Sequence, residues 1–372
     1  MRIAFIANNL RSGGGKIVMI NLLPEFLKII KKSTHDVLVI LPHKNFDFEK
    51  SANIRFAYSK GGNSTCRRFI WQKIFMENMI RNFKPDWTFA MGNYGINRLS
   101  GKQSVLLHNS NIYTNYAKNG SLFYRFETYL KKVQFQSSLK SINRLYFQTD
   151  LVKNDFYKQF PNYRGSASIL PLFIPVEIQK EYSRRERHNL DGFFNLVYPA
   201  NSAIHKNQQI IVKTFVKYKK ELAKFRCFLT LDPIKNQLGR SLYTIVKTNG
   251  LESNIIFTGT LSRAELSNLY RSCDAMLMPS KLETLGLPYI EAMHFSLPII
   301  TTDANFSRAV CADAAIYCDS SSEESLKNAI MELKNSPHKM EELRKKEVEL
   351  LKRKAKTPAD IVKEILKIEG ID

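Results

Sequence analysis

The most constraining feature of this chain is a rhythm. Short apolar runs without polar alternation recur between stretches of helical spacing. They are RIAFIAN (Arg2–Asn8), DVLVILP (Asp36–Pro42), DWTFAMG (Asp86–Gly92), SVLLHN (Ser104–Asn109), RLYFQT (Arg144–Thr149) and SASILPLF (Ser166–Phe173). A strand with one wet face alternates, whereas a strand covered on both faces does not. The runs therefore read as parallel strands with helices above and below. The opening shows the unit in full: RIAFIAN, a loop NLRSGGG, a helix KIVMINLLPEFLKIIKK, then DVLVILP, which is a βαβ unit. Helical spacing also marks 65–83 and a long amphipathic stretch over Leu122–Ile142.

The rhythm breaks once. From Val176 to Gly192 the chain is polar and charged, and this stretch reads as a linker. Strands then resume at Phe194–Ala200, Phe225–Leu231, Asn254–Gly259, Asp274–Ser280, Pro298–Asp303 and Ala314–Asp319, with a helical tail from Ser321. A chain of 372 residues is long enough for two cores of ordinary size. The expected fold is α/β, with two doubly wound Rossmann-like domains in tandem: a first over 1–175, the linker 176–192, a second over 193–356, and a final helix, 357–372, that packs back on the first domain. Ligands of such sheets sit beyond the carboxyl ends of the strands, and the expected site is an interdomain cleft.

One stretch carries chemistry. SKLETLGLPYIEAMHFSLPIITTD (Ser280–Asp303) leaves a strand and enters a helix near Leu287 or Pro288, with Glu283 just outside and Glu291 about one turn in. The amides of Thr284, Leu285, Gly286 and Leu287 then lie at a helix N-terminus, which favours an anion. Gly286 permits close backbone approach. Two carboxylates flanking an anion site suit a ligand with hydroxyls at both ends and phosphate between, the shape of a nucleotide sugar. Glu291 sits in an otherwise apolar stretch and needs a partner. Lys206 follows the first strand of the second half and precedes a helix, on the same rim.

Pro279, Ser280, Glu283, Gly286, Leu287, Pro288, Glu291, Ala292, Met293 and Pro298–Ile300 resemble the donor-site signature of glycosyltransferase family 4, whose fold is GT-B. The resemblance covers the second half well and the first weakly. It implies a retaining transfer of a sugar from a nucleotide-diphosphate donor to a hydroxyl of a glycan or lipid-linked acceptor, as in bacterial surface polysaccharide biosynthesis. Donor binding would fall to Glu283 (sugar hydroxyl), Glu291 (ribose), the 285–287 amides and Lys206 (diphosphate). The family often has an arginine five positions before that lysine. Here the position is Asn201, so His205 or another residue would supply the second charge. The RSGGGKIV loop matches neither the dinucleotide nor the Walker spacing. By resemblance, Gly14 and Gly15 lie over the donor phosphates, and His108 at a strand end helps position donor sugar and acceptor. Glu283 and His108 position rather than attack. His294 reads as packing.

No Asp-x-Asp pair occurs, so neutralisation by Lys206 and the helix tip, without a metal or other cofactor, is expected. Five scattered cysteines without a CxxC pair suit reduced thiols. The opening run is short for a signal peptide and no apolar stretch approaches a membrane span, so the expected location is cytoplasmic. The net charge of +22 is uneven: residues 1–180 hold 27 Lys and Arg against 10 Asp and Glu, and residues 181–372 hold 29 against 24. Basic residues mixed with aromatics over 66–84 and 123–136 suit an anionic membrane surface met peripherally by the first domain. Two other readings stay open. One is a nucleotide-sugar epimerase on the same architecture. The other is a basic nucleic-acid binder, though no recognition motif supports nucleic acid as a partner.

Overall fold

The computed structural model describes residues 1–46, 48–60, 65–108, 122–179 and 192–371. The chain divides into two compact units, Met1–Pro171 with Lys356–Asp372, and Leu172–Ala355.

Unit 1 is built on a seven-stranded parallel sheet of order β3-β2-β1-β4-β5-β6-β7. Its strands are β1 (Arg2–Ile6), β2 (Asp36–Leu41), β3 (Ile54–Tyr58), β4 (Trp87–Ala90), β5 (Lys102–Leu106), β6 (Arg144–Phe147) and β7 (Ser166–Ile169). Its helices are α1 (Gly13–Ile30), α2 (Thr65–Trp71), α3 (Glu77–Phe83), α4 (Leu122–Ser138) and α5 (Asp150–Gln159). Successive residues of β1 serve opposite layers. Phe5 packs on Phe26 of α1, 5.0 Å between ring centres, while Ala4 and Ile6 share a core with Trp71, Ile80 and Phe83. Both faces are thus dry, which is why the strand sequences do not alternate.

Four details differ from the sequence reading. The glycines of 13–15 are not a loop ahead of the helix but its first turn, entered through Gly13 at φ 65°. A first turn has no intrahelical acceptor to lose, so glycine's weak helix preference costs least there. The edge strand β3 was not foreseen. Residues 65–83 are two helices joined by a π-helical turn, Gln72–Met76. The long helix stops at Ser138, and a 3₁₀ turn over Leu139–Ser141 completes the stretch.

Unit 2 begins with a two-residue strand, β8 (Leu172–Phe173), the end of the run read as one strand over Ser166–Phe173; inside the stretch read as linker there is a short helix, α6 (Val176–Gln179). Residues 180–191 of that stretch lie outside the described residues. A six-stranded parallel sheet follows, of order β11-β10-β9-β12-β13-β14. Its strands are β9 (Phe194–Tyr198), β10 (Phe225–Leu229), β11 (Ile255–Phe257), β12 (Ala275–Met278), β13 (Ile299–Thr302) and β14 (Ile316–Cys318). The helices are α7 (Gln208–Lys217), α8 (Gln237–Thr248), α9 (Arg263–Ser272), α10 (Leu287–His294), α11 (Asn305–Cys311), α12 (Glu323–Asn335) and α13 (Pro337–Lys354). Cys227, Cys273, Cys311 and Cys318 are buried and in no disulfide, and burial pushes the Cys227, Cys311 and Cys318 thiols up, away from reactivity.

The last helix, α14 (Pro358–Glu369), belongs to unit 1 and packs on α1. Thr357 caps it, accepting from the Asp360 amide, and Gly370 ends it at φ 70°. Ile361, Val362, Ile365 and Leu366 are its buried stripe.

Candidate active site

A doubly wound sheet opens a crevice where the strand order reverses, because the loops leaving the two adjacent strands diverge to opposite faces. In unit 2 this point lies between β9 and β12. The loop after β9 carries Lys206 and the loop after β12 carries Glu283. Their side chains meet at 2.6 Å, Nζ to Oε1, with 16% and 9% of each exposed.

Several bonds fix these loops together. Tyr198, at the end of β9, donates its hydroxyl to the Lys206 carbonyl at 2.6 Å. Its one proton is then spent, so Ser280 donates to the Tyr198 oxygen at 2.7 Å. The buried Asn207 donates to the carbonyls of Pro279 (3.1 Å) and Ser320 (2.9 Å), and the Lys281 amide donates to the His205 carbonyl at 2.7 Å. Lys206 therefore stands on a backbone held from both sides, a preorganised cation.

Glu283 leads into the tip of α10. Gly286 is its N-cap, at φ 69°, a conformation that side-chain-bearing residues rarely adopt. A Cβ there would lie 2.6 Å from the Tyr289 ring. That ring is fixed, since the Tyr289 hydroxyl donates to Thr301 at 2.7 Å, whose own hydroxyl donates to the Met278 carbonyl. Pro288 in the first turn removes one amide and leaves those of Gly286 and Leu287 ahead of the first intrahelical bond. With the dipole's positive end, this tip favours an anion beside Lys206.

Glu291 lies deeper and is buried. Its Oε1 accepts from Arg263 Nη2 at 2.8 Å and its Oε2 from the Tyr270 hydroxyl at 2.8 Å. Both donors belong to α9, so the carboxylate ties α10 to α9. Each oxygen keeps a second acceptor site. Sequence reasoning asked for a partner without finding these two. It also missed Tyr198 and Asn207.

Asn201 is exposed and caps its own turn, accepting from the Ala203 amide at 3.2 Å. His205 is half-buried beside Lys206. Burial and the adjacent Lys206 hold its ring below the usual histidine range, outweighing Glu283. His294 packs edge-on against Phe295.

In unit 1 the strand order reverses between β1 and β4. Asn9, after β1, donates to the carbonyl of Gly92, after β4, at 2.7 Å. Any side chain on Gly92 would collide with the Asn9 amide, 2.0 Å away. His108 stands at the end of the neighbouring strand β5. Its Nε2 is 2.6 Å from the Met91 carbonyl, so Nε2 carries the proton, and Nδ1 accepts from Gln148 at 3.3 Å. Gly15 is adjacent: a Cβ on it would sit 3.8 Å from the His108 ring. Gly14 is exposed in the same turn. The structure thus brings Gly15 to His108 and Lys206 to Glu283. Asn109 lies outside the described residues.

Burial pushes His108 down to about 4, against the raising effect of the Met91 bond. A lowered histidine favours folding fully above the unfolded value near 6.5. That contribution is lost as pH falls toward 4, because only the unfolded chain takes up the proton. The shift corresponds to about 3 kcal/mol at most. Unit 1 of His108→Gln is therefore expected to lose less stability than wild type between pH 6.5 and 4 in urea melts. Parallel pH profiles would contradict the buried neutral ring.

Among the described residues no group of three or more His, Cys, Asp or Glu stands close enough to hold a metal ion. Among those same described residues, no helix is long and apolar enough to cross a membrane.

Residues 179–349 match the family model described as Glycosyl transferases group 1. The chain is 25% identical over 219 residues to the O-antigen chain mannosyltransferase RfbU of Salmonella typhimurium, covering 58% of this chain and 59% of that one. The chain thus spans less than two thirds of that relative's length. Two solved structures are similar over their whole length. Sucrose-phosphate synthase from Thermosynechococcus elongatus has a TM-score of 0.73 at 14% identity, covering 100% of this chain and 98% of that one. HepE from Anabaena, in complex with UDP and glucose, has a TM-score of 0.69 at 14% identity, covering 100% and 99%. The fold is GT-B.

Proposed function

We propose that this chain is a retaining glycosyltransferase of family 4, moving a sugar from a nucleotide diphosphate to a hydroxyl of a glycan or lipid-linked acceptor. The single observation that carries the reading is the Lys206–Glu283 pair across the unit 2 switch point, beside a helix tip suited to an anion. It lies inside the stretch that matches group 1 glycosyltransferases. A UDP-glucose-like donor fits this chemistry; the Anabaena neighbour is also solved in complex with UDP-glucose.

The donor diphosphate would lie against the 285–287 backbone and Lys206, with Glu283 accepting from a sugar hydroxyl. As the anomeric C–O bond breaks, its electron pair goes to the phosphate oxygen. The acceptor oxygen bonds to the same face of that carbon, and its proton passes to the departing phosphate. Lys206 and the helix tip stabilise the growing charge without reorganising. In unit 1, Gly14, Gly15 and His108 position donor sugar and acceptor, with the neutral His108 ring acting through shape and hydrogen bonding. Asn201 leaves Lys206 as the principal cation. The work takes place in the cytoplasm, on the inner face of the membrane where a lipid-linked acceptor would be met.

A thermal-shift series of nucleoside diphosphates and their sugars tests the reading. Stabilisation specific to one base is expected; none at millimolar ligand would remove it. Glu291→Gln is expected to weaken nucleotide binding by roughly tenfold, the scale of one charged hydrogen bond. Calorimetry with unchanged affinity but a lowered melting temperature would instead assign Glu291 to the α9–α10 tie alone.

A further inference from the structure

The turn QFPNYRG, Gln159–Gly165, leads from α5 into β7 and forms one wall of a cavity of about 530 Å³. The other wall is the end of α4 and the 3₁₀ turn after it, with Gln136, Lys140 and Ile142. The cavity lies at the amino ends of β6 and β7, since Ile142 and Gly165 stand just ahead of Arg144 and Ser166, where those strands begin. The sheet is parallel, and His108 stands beyond the carboxyl end of β5. The length of a strand, roughly 13 Å for four residues, separates the two ends. The cavity is thus a second site, within the size range of small-molecule pockets. Its walls are firmly built. The Phe160 ring lies 5.1 Å from Phe156 and 5.7 Å from Phe135, both fully buried. The Tyr163 ring meets Phe156 edge-on at 5.5 Å, and its hydroxyl donates across to the Ile142 carbonyl at 3.3 Å. A Cβ on Gly165 would lie 2.1 Å from that hydroxyl and 2.8 Å from the Asn143 carbonyl, so glycine is what lets the ring cross there.

The lining selects a ligand class. Phe160 and Tyr163 are half-buried rings, suited to the apolar C–H face of a pyranose. Gln136, Gln159 and Asn162 are exposed on the rim. Each amide offers both donors and an acceptor, as a sugar hydroxyl does. Lys140 and Arg164 stand one on each wall, and among the described residues no acid lines the cavity. A wholly apolar ligand would leave the amides and cations unmatched, and a bare phosphate would leave the rings uncovered. We infer that this cavity is a saccharide site, taking a sugar unit that carries a carboxylate or a phosphate. The rings cover the sugar's C–H face, the amides take its hydroxyls, and Arg164 and Lys140 meet the anionic group. Because the rim is exposed, one unit of a longer chain enters as readily as a free sugar phosphate. A glycan anchored here, away from its reacting end, rests on the function proposed above; the binding itself does not.

The test is calorimetry on the full chain at physiological salt, which screens the long-range pull of its +22 charge. The probes are a tetrasaccharide of alternating glucuronate and N-acetylglucosamine, glucose 1-phosphate, and inorganic phosphate. Both sugars are expected to bind more tightly than inorganic phosphate. Tighter binding of the tetrasaccharide identifies a glycan unit as the natural occupant, and tighter binding of glucose 1-phosphate a free sugar phosphate. Lys140→Glu with Arg164→Glu should weaken binding by at least ~10-fold. Gln159→Trp, which fills the cavity from an exposed position, should abolish it. Lys213→Glu with Lys247→Glu, exposed cations of unit 2 and the same change in charge, should leave it unchanged. The inference is overturned if neither sugar binds, if inorganic phosphate binds as well as they do, or if the unit 2 pair weakens binding as much as the cavity pair. It is equally overturned if UDP displaces the sugar, which would place it at the donor site. Nucleotide-dependent thermal shifts of Gln159→Trp should match wild type. Sugar binding at the cavity without any nucleotide shift in wild type would remove the proposed activity and leave this site intact.

Discussion

Lys206→Ala is expected to lower kcat for sugar transfer by roughly 100-fold or more, with a smaller change in KM. The asymmetry follows from timing. On the proposed function, a bound diphosphate sugar would already carry charge that Lys206 attracts, and negative charge would grow further on the phosphate as the glycosidic bond breaks. An interaction that strengthens toward the transition state appears mainly in kcat. Removing one preorganised donor of this kind costs about 3 kcal/mol. Lys206 is well preorganised, because its carbonyl accepts from Tyr198 and its ammonium is held by Glu283 at 2.6 Å. The competing account is that Lys206 merely neutralises a buried glutamate. A double-mutant cycle separates the two. If Lys206 serves only Glu283, then Lys206→Ala with Glu283→Gln together should do no more damage than Glu283→Gln alone. If both touch the donor, the double variant should be slower than either single one.

What could be read from the sequence divides along one physical line. Features encoded by neighbours in the chain were legible. The doubly wound class follows from strands without alternation, and the start of α10 follows from Gly286–Leu287–Pro288, where a left-handed residue and a proline leave few choices. Features made by distant residues were not. Glu291's apolar surroundings demand a partner, but nothing near it announces Arg263 and Tyr270, 28 and 21 positions earlier. Lys206 and Glu283 are 77 positions apart, and only the topology makes their loops adjacent. His108 is similar: its strand-end place could be read, whereas the tautomer depends on the Met91 carbonyl and could not. The glycines of 13–15 misled for a different reason. Glycine signals a loop by average preference, yet a helix's first turn tolerates it, since the first amides have no intrahelical acceptor in any residue.

The second large effect is on stability, and its seat is the end of the chain. Glu369→Ala should destabilise unit 1 by about 3 kcal/mol. Glu369 is 6% exposed, and its Oε1 accepts from the Ser104 and Tyr146 hydroxyls, each at 2.7 Å, with Arg144 Nε at 3.3 Å. Trp87 donates in turn to Ser104 at 3.1 Å. Truncation would leave two buried hydroxyls and a guanidinium without their acceptor, and an unpartnered buried donor costs more than the bond it once made was worth. Burial and then the Glu369 bond already push the Tyr146 hydroxyl far above its usual range, so it cannot ionise to adapt. Both tryptophans, Trp71 and Trp87, lie in unit 1, so tryptophan fluorescence during urea unfolding follows that unit alone. The midpoint should fall for Glu369→Ala and fall less for Glu369→Gln, which keeps an acceptor oxygen but not the charge. Equal midpoints for wild type and Glu369→Ala would show that α14 is held by its apolar stripe, with Ile361, Val362, Ile365 and Leu366 sufficient against α1.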